Sequence, residues 1–204
     1  MSSLDELRDV YMKNRRQIRE FLERTKERGE PAMLEEMFFC MLTAQSKAAN
    51  CRASVDRLKG CRDLFEADLA DIRKSLHGVR FADRKALYLH EARDKLPKIM
   101  DNLSLPAAVQ REWLVDNIKG MGMKLASHYL RNIGVFGLAI LDVHVQRFMK
   151  DNWSFRGEVG KLNKTQYMDN EREFFGLAKK LEMKPEELDI AIWMLGNRSG
   201  NFYG

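Results

Sequence analysis

Two glycines, a lysine and a later aspartate carry the chemistry that this sequence offers. In KGMGMKLASHYL, residues 119–130, Gly120 and Gly122 precede Lys124, which is expected in the first turn of a helix. The helix dipole makes that end positive, so it disfavours an ammonium ion. A lysine in such surroundings, if it is also desolvated, is suited to act as a nucleophile. Asp142 follows eighteen residues later, in LAILDVHVQRF.

The residues around the lysine predict two short helices joined by a tight turn. REWLVDNI forms the first helix, KGMG the joint and MKLASHYLRNI the second. We expect positive φ angles at Gly120 and Gly122, and no side chain between the joint and its surroundings. The amides that begin the second helix would then point outward and could bind a DNA phosphate. The alternative is an ordinary turn between two helices, with Asp142 acting only as a helix N-cap.

The composition is that of a globular protein with room for one large domain or two small ones. The chain has 204 residues, of which 45% are apolar and 32% charged, and a formal net charge of +5. This excludes a disordered chain, and the positive charge permits a polyanionic partner without requiring one. The sequence shows no apolar run of membrane-spanning length, and its acidic N-terminus does not resemble a secretion signal. We therefore predict a cytoplasmic protein, associated with the nucleoid if the organism is a prokaryote.

The cysteines and histidines do not predict a metal site. Cys40, Cys51 and Cys61 are three in number and lack the close pairing of a zinc ribbon or an iron–sulfur loop. His128 and His144 have no third ligand at a suitable spacing for zinc. We predict no metal and no cofactor.

Hydrophobic periodicity close to 3.6 residues predicts an all-α fold. No alternating β-branched segment of strand length interrupts it. Gly29 and Pro31 end a first helical stripe that begins near residue 4. Further helices are expected from 33 to 42 and around Val55 and Leu58, and then near 67–76, 83–100, 107–118, 123–133, 143–151, 168–181 and 185–195.

The motif KGMGMKLASHYLRNIG…AILDVHV resembles the helix–hairpin–helix DNA glycosylase superfamily, and closely resembles its archaeal-type 8-oxoguanine DNA glycosylase/lyases, the second Ogg family. Supporting matches are a helix in LTAQSKAAN, GVRFADRKA and the late LDIAIWML, so the resemblance extends from about residue 33 to the end. It implies two helical lobes that flank a DNA-binding groove. We expect one lobe at 30–134, and the other at 1–29 and 135–204.

The resemblance also implies an activity and two catalytic residues. A bifunctional glycosylase of this kind excises 8-oxoguanine and nicks the strand by β-elimination. Lys124 would attack C1′ of the damaged nucleotide and remain as a Schiff base. Asp142 would stay ionised, stabilise the oxocarbenium-like sugar and accept the lysine proton. The expected partner is double-stranded DNA containing 8-oxoguanine, bound by a monomer.

The damaged base would be flipped out of the duplex into a pocket. By resemblance, Phe81 and Trp193 would sandwich it, and Gln45 and Ser46 could present polar groups to it or to its opposite base. Core packing is the alternative for the two aromatic residues, and a helix-ending role is the alternative for Gln45.

Two further expectations concern His144 and the end of the chain. His144 would orient Asp142 or contact a phosphate, as Gly120 and Gly122 would through the backbone. Members of the family commonly end in a lysine, whereas this chain ends in GNFYG. Gly204 could still deliver its terminal carboxylate to the base.

Two alternatives to this function stay open. One is a glycosylase for another base, such as an alkylated purine. The other is a non-catalytic helix–hairpin–helix DNA-binding module. Lys124 distinguishes the second alternative, because phosphate binding by the hairpin needs the glycines and amides but no buried amine.

Overall fold

The computed structural model describes residues 3–196 of the 204-residue chain. Within that range the regular structure is entirely helical, which confirms the predicted all-α class. No helix in the same range is long and apolar enough to cross a membrane. The helices are α1 (Ser3–Lys26), α2 (Glu30–Leu42), α3 (Ala48–Cys61), α4 (Leu69–Ser75), α5 (Ala82–Arg93), α6 (Leu96–Asp101), α7 (Ala107–Asn117), α8 (Met123–Asn132), α9 (Val143–Asn152), α10 (Lys164–Leu181) and α11 (Pro185–Gly196).

The helices form two compact units. One unit, called here the hairpin unit, comprises residues 27–133, and the other, called the terminal unit, comprises 1–26 and 134–204. These limits fall within three residues of the lobe boundaries expected from the sequence. The assignment of the two ranges as separate domains stays a prediction.

Helix α2 is the centre of the hairpin unit. It contacts α3, α5 and α8, and for that reason it is buried on most of its surface rather than along one stripe. Pro31 lies in its first turn, where the missing amide hydrogen has no helical partner to lose. The fully buried side chains of α2 are Leu34, Met37, Phe38, Cys40 and Leu42.

The terminal unit is built around α11, which contacts α1, α9 and α10. A buried carboxylate fixes α1 to α11, because Glu187 accepts hydrogen bonds from Tyr11 Oη at 2.9 Å and from Arg19 Nε at 2.7 Å. Apolar contacts supply the rest of this packing, with Leu7 and Ile18 fully buried on α1 and Leu188 on α11.

Two predicted helical segments are wrong. The helix expected over 83–100 is two helices, α5 and α6, separated at Asp94 and Lys95. Pro97 explains the break, because it has no amide hydrogen to bond the carbonyl four residues earlier. The segment LTAQSKAAN is not one helix either, since residues 43–47 form a turn between α2 and α3.

Candidate active site

The predicted joint lies between α7 and α8. The Ile118 amide donates to Leu114 O at 2.9 Å as α7 ends, and the Met121 amide donates to Ile118 O at 3.1 Å inside the joint. Ile118 and Met121 are both 2% exposed. These two apolar side chains anchor the joint in the hairpin unit, while Gly120 and Gly122 remain exposed at its surface.

The two glycines serve different purposes. Gly120 has a φ of +82°, and a Cβ placed there would lie 2.5 Å from Tyr88 Cδ2. Gly122 has a φ of −89°, so the expected positive φ at this position is wrong. The reason is that Gly122 is the N-cap of α8 and takes the extended conformation that any residue can adopt there. A Cβ at Gly122 would meet open space.

The N-terminus of α8 has no side-chain cap. Gly122 lacks a side chain to accept from the first amides, and the first turn contains no acidic residue. The amides of residues 123–125 therefore begin the helix without an intrahelical partner. Lys124 is the second residue of α8, as predicted, and it is half-buried. Lys124 is therefore attached to the end of the helix that carries partial positive charge.

A neutral histidine lies one turn beyond this lysine. Side chains on a helix lean toward its N-terminus, so His128 leans toward the turn that carries Lys124. Burial lowers the pKa of His128 well below 6.5, and the positive charges of Lys124, Arg131 and Arg52 lower it further. The ring meets Phe39 edge-on, with centroids 6.3 Å apart. Near neutral pH, His128 therefore adds no charge to the surroundings of Lys124.

An ionic cluster around the buried Glu36 fixes α8 against α2. Asn132 Nδ2 donates to Glu36 Oε2 at 2.8 Å, and Glu36 Oε1 pairs with Arg28 at 2.9 Å and Arg52 at 3.2 Å. Sequence reasoning missed this cluster. The available signal was Glu36 itself, a carboxylate inside the dense apolar pattern of α2. The Glu36 cluster holds the helix that carries Lys124.

Asp142 is the N-cap of α9 in the terminal unit. Its Oδ1 accepts from the Val145 amide at 2.8 Å, which gives the expected cap geometry. The preceding residues are fixed by Tyr167, whose hydroxyl donates to Ala139 O at 2.8 Å and accepts from the Leu141 amide at 3.2 Å. Asp142 is half-buried at the end of a firmly held segment. His144, two residues further, is exposed.

Two of the predicted base-contacting residues share an unusual backbone conformation. Phe81 has a φ of +60° and its side chain is 54% exposed, although phenylalanine rarely adopts the left-handed region. Gln45 has a φ of +55° and is also exposed. Its helix-ending alternative is wrong, because α2 ends at Leu42 and Gln45 lies in the turn that follows.

Ser46 is held by contacts within the hairpin unit. Its hydroxyl accepts from the Arg80 amide at 3.0 Å and from Lys85 Nζ at 3.1 Å. The structure thus brings the Ser46 turn beside the segment that carries Phe81. Sequence reasoning missed Lys85. The sequence does contain a signal for its burial, because Lys85 lies on the apolar side of α5, four residues before the buried Leu89.

The other predicted site residues are placed as follows. Trp193 is half-buried on α11 of the terminal unit, between the two alternatives considered for it. Gly204 lies outside the described residues. Within residues 3–196, no group of three or more His, Cys, Asp or Glu side chains could hold a metal ion.

Comparison with known proteins identifies the family. The family model described as 8-oxoguanine DNA glycosylase matches residues 14–183. The 8-oxoguanine DNA glycosylase/AP lyase of Picrophilus torridus is 36% identical over 191 residues, which cover 89% of this chain and 86% of that protein. The crystal structure of the 8-oxoguanine DNA glycosylase of Thermotoga maritima has a TM-score of 0.86 and 32% identity, covering 97% of this chain and 96% of that one.

A solved complex is also similar over the whole chain. The Methanocaldococcus jannaschii 8-oxoguanine glycosylase/lyase, in complex with a 15mer DNA containing 8-oxoguanine, matches with a TM-score of 0.85, 27% identity and 100% coverage of both chains. Together with the hairpin and its lysine, these similarities show that the chain belongs to the 8-oxoguanine DNA glycosylase family.

Proposed function

We propose that this protein excises 8-oxoguanine from double-stranded DNA and cleaves the strand at the resulting site by β-elimination. Family membership over residues 14–183 supports the reaction, and the relatives that carry the glycosylase/AP lyase name match most of the chain. The observation that carries the proposal is the position of Lys124. It lies in the first turn of an uncapped helix, directly after a glycine joint that exposes backbone amides.

Lys124 supplies the nucleophile in this proposal. Attack requires the neutral amine, and Lys124 lies half-buried in the first turn of α8, beside backbone amides that carry partial positive charge. The amine nitrogen bonds to C1′ as the bond from C1′ to the base breaks, and the base leaves with the bonding electrons. The nitrogen then loses a proton and the sugar ring opens, which leaves a Schiff base. Loss of a 2′ proton and of the 3′ phosphate completes the elimination.

Asp142 supplies the negative charge in this proposal. The Val145 amide donates to its Oδ1 and so fixes the position of the carboxylate. Such a charge stabilises the oxocarbenium-like sugar as the base departs, and the carboxylate can also take the lysine proton. Its position at the start of α9, after a segment fixed by Tyr167, requires little reorganisation during the reaction.

The remaining predicted residues bind the substrate in this proposal. Phe81 is supported as a stacking surface because its ring is exposed. Gln45 and Ser46 are assigned to the base or its opposite partner, and Trp193 and Gly204 to the base. His144 is assigned to a phosphate or to Asp142. We propose that a monomer in the cytoplasm, at the nucleoid of a prokaryote, acts on the duplex.

The two hairpin glycines provide a test of phosphate binding. Gly122→Val should weaken binding to undamaged duplex for all sequences alike, because its side chain would stand between the amides of α8 and a phosphate. The free energy of unfolding should fall by no more than about 1 kcal/mol, the cost of a poorer N-cap, since Gly122 has a negative φ and open space beside it. Fluorescence anisotropy between about 50 and 200 mM salt should also show steep salt dependence for the wild type.

Gly120→Val is the matched control within the same joint. It should lower the melting temperature, because a side chain at a φ of +82° is strained and would collide with Tyr88. The expected loss in the free energy of unfolding is about 1–2 kcal/mol or more. If Gly122→Val binds undamaged duplex as tightly as the wild type, or if wild-type binding is independent of salt, the hairpin is not a phosphate-binding element.

Borohydride trapping tests the proposed function directly. Incubation of the protein with 8-oxoguanine duplex and borohydride should give a covalent protein–DNA band, because the reductant converts the imine to a stable amine. A non-catalytic DNA-binding module would give no band. A glycosylase for another base would give a band only with a different lesion, so a panel of lesion-containing duplexes separates the two alternatives.

A further inference from the structure

A buried lysine fastens the turn after α2. The Lys85 side chain belongs to α5 and is 7% exposed. Its Nζ donates to Leu42 O at 2.6 Å, to Ala44 O at 2.7 Å and to Ser46 Oγ at 3.1 Å. An ammonium group has three hydrogens, so these three acceptors satisfy it. All three acceptors lie at or just beyond the C-terminal end of α2.

A second set of hydrogen bonds fastens the turn before α5 to Ser46 and to the first turn of α3. The Arg80 amide donates to Ser46 Oγ at 3.0 Å, and Asn50 Nδ2 donates to Gly78 O at 2.9 Å. We call Lys85, Ser46 and Asn50 the clamp. It ties residues 43–47 to residues 76–81, so the two turns are held as one rigid surface of the hairpin unit.

The clamp holds two residues in the left-handed backbone region. Gln45 immediately precedes Ser46 and has a φ of +55°. Phe81 immediately follows Arg80 and has a φ of +60°. Non-glycine residues stay in this region only when their surroundings impose it, and such residues are concentrated at functional sites. Both side chains are exposed, so burial of these two residues does not explain their strained backbone conformation. It displays them to solvent.

The position of the lysine charge agrees with a clamp rather than with ordinary packing. The carbonyls at the C-terminal end of α2 carry the negative end of that helix dipole, which favours a cation at this point. A buried cation that donates all three of its hydrogen bonds to the end of α2 and the turn after it fixes the conformation of that turn.

We propose that Lys85 is a positioning residue for base selection: through the clamp it holds Gln45 and Phe81 displayed toward the flipped base. This inference rests on the proposed function of the protein. Lys85 touches neither the base nor the sugar in this role. Its contribution should therefore appear only in steps where a base is bound.

The test compares two substrates of the same enzyme. Lys85→Met keeps a long buried side chain and removes the three donors. We expect it to slow base release from 8-oxoguanine duplex by up to about a hundredfold, because misplacement by about 1 Å can cost that much. Strand cleavage and borohydride trapping on a duplex with a preformed abasic site should stay near the wild-type rate, since that substrate has no base to select.

The rate of base release from 8-oxoguanine duplex is divided by the rate of strand cleavage at the preformed abasic site, and this ratio separates the outcomes. A selective loss at 8-oxoguanine supports the proposal, whereas an unchanged ratio in a folded variant overturns it. If the wild type traps neither substrate, the proposed function fails instead. Should Lys85→Met be unfolded at the assay temperature, the pair Asn50→Leu and Asn50→Gln gives the answer, because only leucine removes the amide donor that the clamp directs at Gly78 O. Equal ratios for those two variants would also overturn the proposal.

Discussion

Lys124→Gln should abolish borohydride trapping and reduce base release from 8-oxoguanine duplex by a factor on the order of 10⁴ or more, as expected when a nucleophile is removed. Glutamine keeps part of the side-chain length and can donate hydrogen bonds, but its amide cannot form an imine. Binding to lesion-containing duplex should be largely retained, because the uncapped amides of α8 remain in place. Single-turnover base release, trapping and anisotropy measure the three quantities separately.

Lys119→Gln is the matched control on the same hairpin. Lys119 is exposed and pairs with Glu91 at 2.9 Å, and it lies five residues before Lys124. Its replacement removes one positive charge from the hairpin and leaves the nucleophile, so trapping should continue. If Lys124→Gln cleaves 8-oxoguanine DNA near the wild-type rate, Lys124 is not the nucleophile and the proposed mechanism fails.

Asp142→Asn should reduce turnover by about 10²–10³-fold, the size of loss found when one preorganised electrostatic contact to a transition state is removed. Asparagine is nearly as good an N-cap as aspartate, so the cap that binds the Val145 amide should survive. The melting temperature should fall only slightly. Single-turnover base release and thermal unfolding of the same preparation check both parts of this prediction.

Asn163→Ala supplies the contrasting control. Asn163 is the N-cap of α10 in the same unit, and its side chain accepts from the Gln166 amide at 2.9 Å. Loss of this cap should cost about 1 kcal/mol of stability and leave base release almost unchanged. Asp142 acts only as a cap if Asp142→Asn instead loses as much stability as Asn163→Ala and releases the base at a similar rate.

Together these variants assign separate tasks to the two units. The hairpin unit carries the amine and, by the clamp, the residues proposed to read the base. The terminal unit carries the carboxylate and Trp193. A variant that removes the amine should lose both trapping and elimination, whereas a clamp variant should lose only the step in which the base is selected.

The sequence by itself determined the features that depend on neighbouring residues. Helical periodicity is a local pattern, and it predicted an all-α chain that the structure confirms. Capping is local as well, so Asp142 was correctly expected to begin α9 and Lys124 to lie in the first turn of α8. Pro97 is also a local signal, because it lacks the amide hydrogen that one continuous helix over 83–100 would need.

Tertiary structure decided which of these residues are exposed and what holds them. The exposure of Phe81 and its left-handed backbone depend on contacts with residues more than thirty positions away, such as the hydrogen bond from Arg80 to Ser46. The burial of Lys85 has the same origin, since its partners lie at the end of α2 and on the turn that follows it. Periodicity and capping report interactions within a few residues of the chain. They carry no information on which distant carbonyl receives a buried lysine, and that pairing required the folded chain.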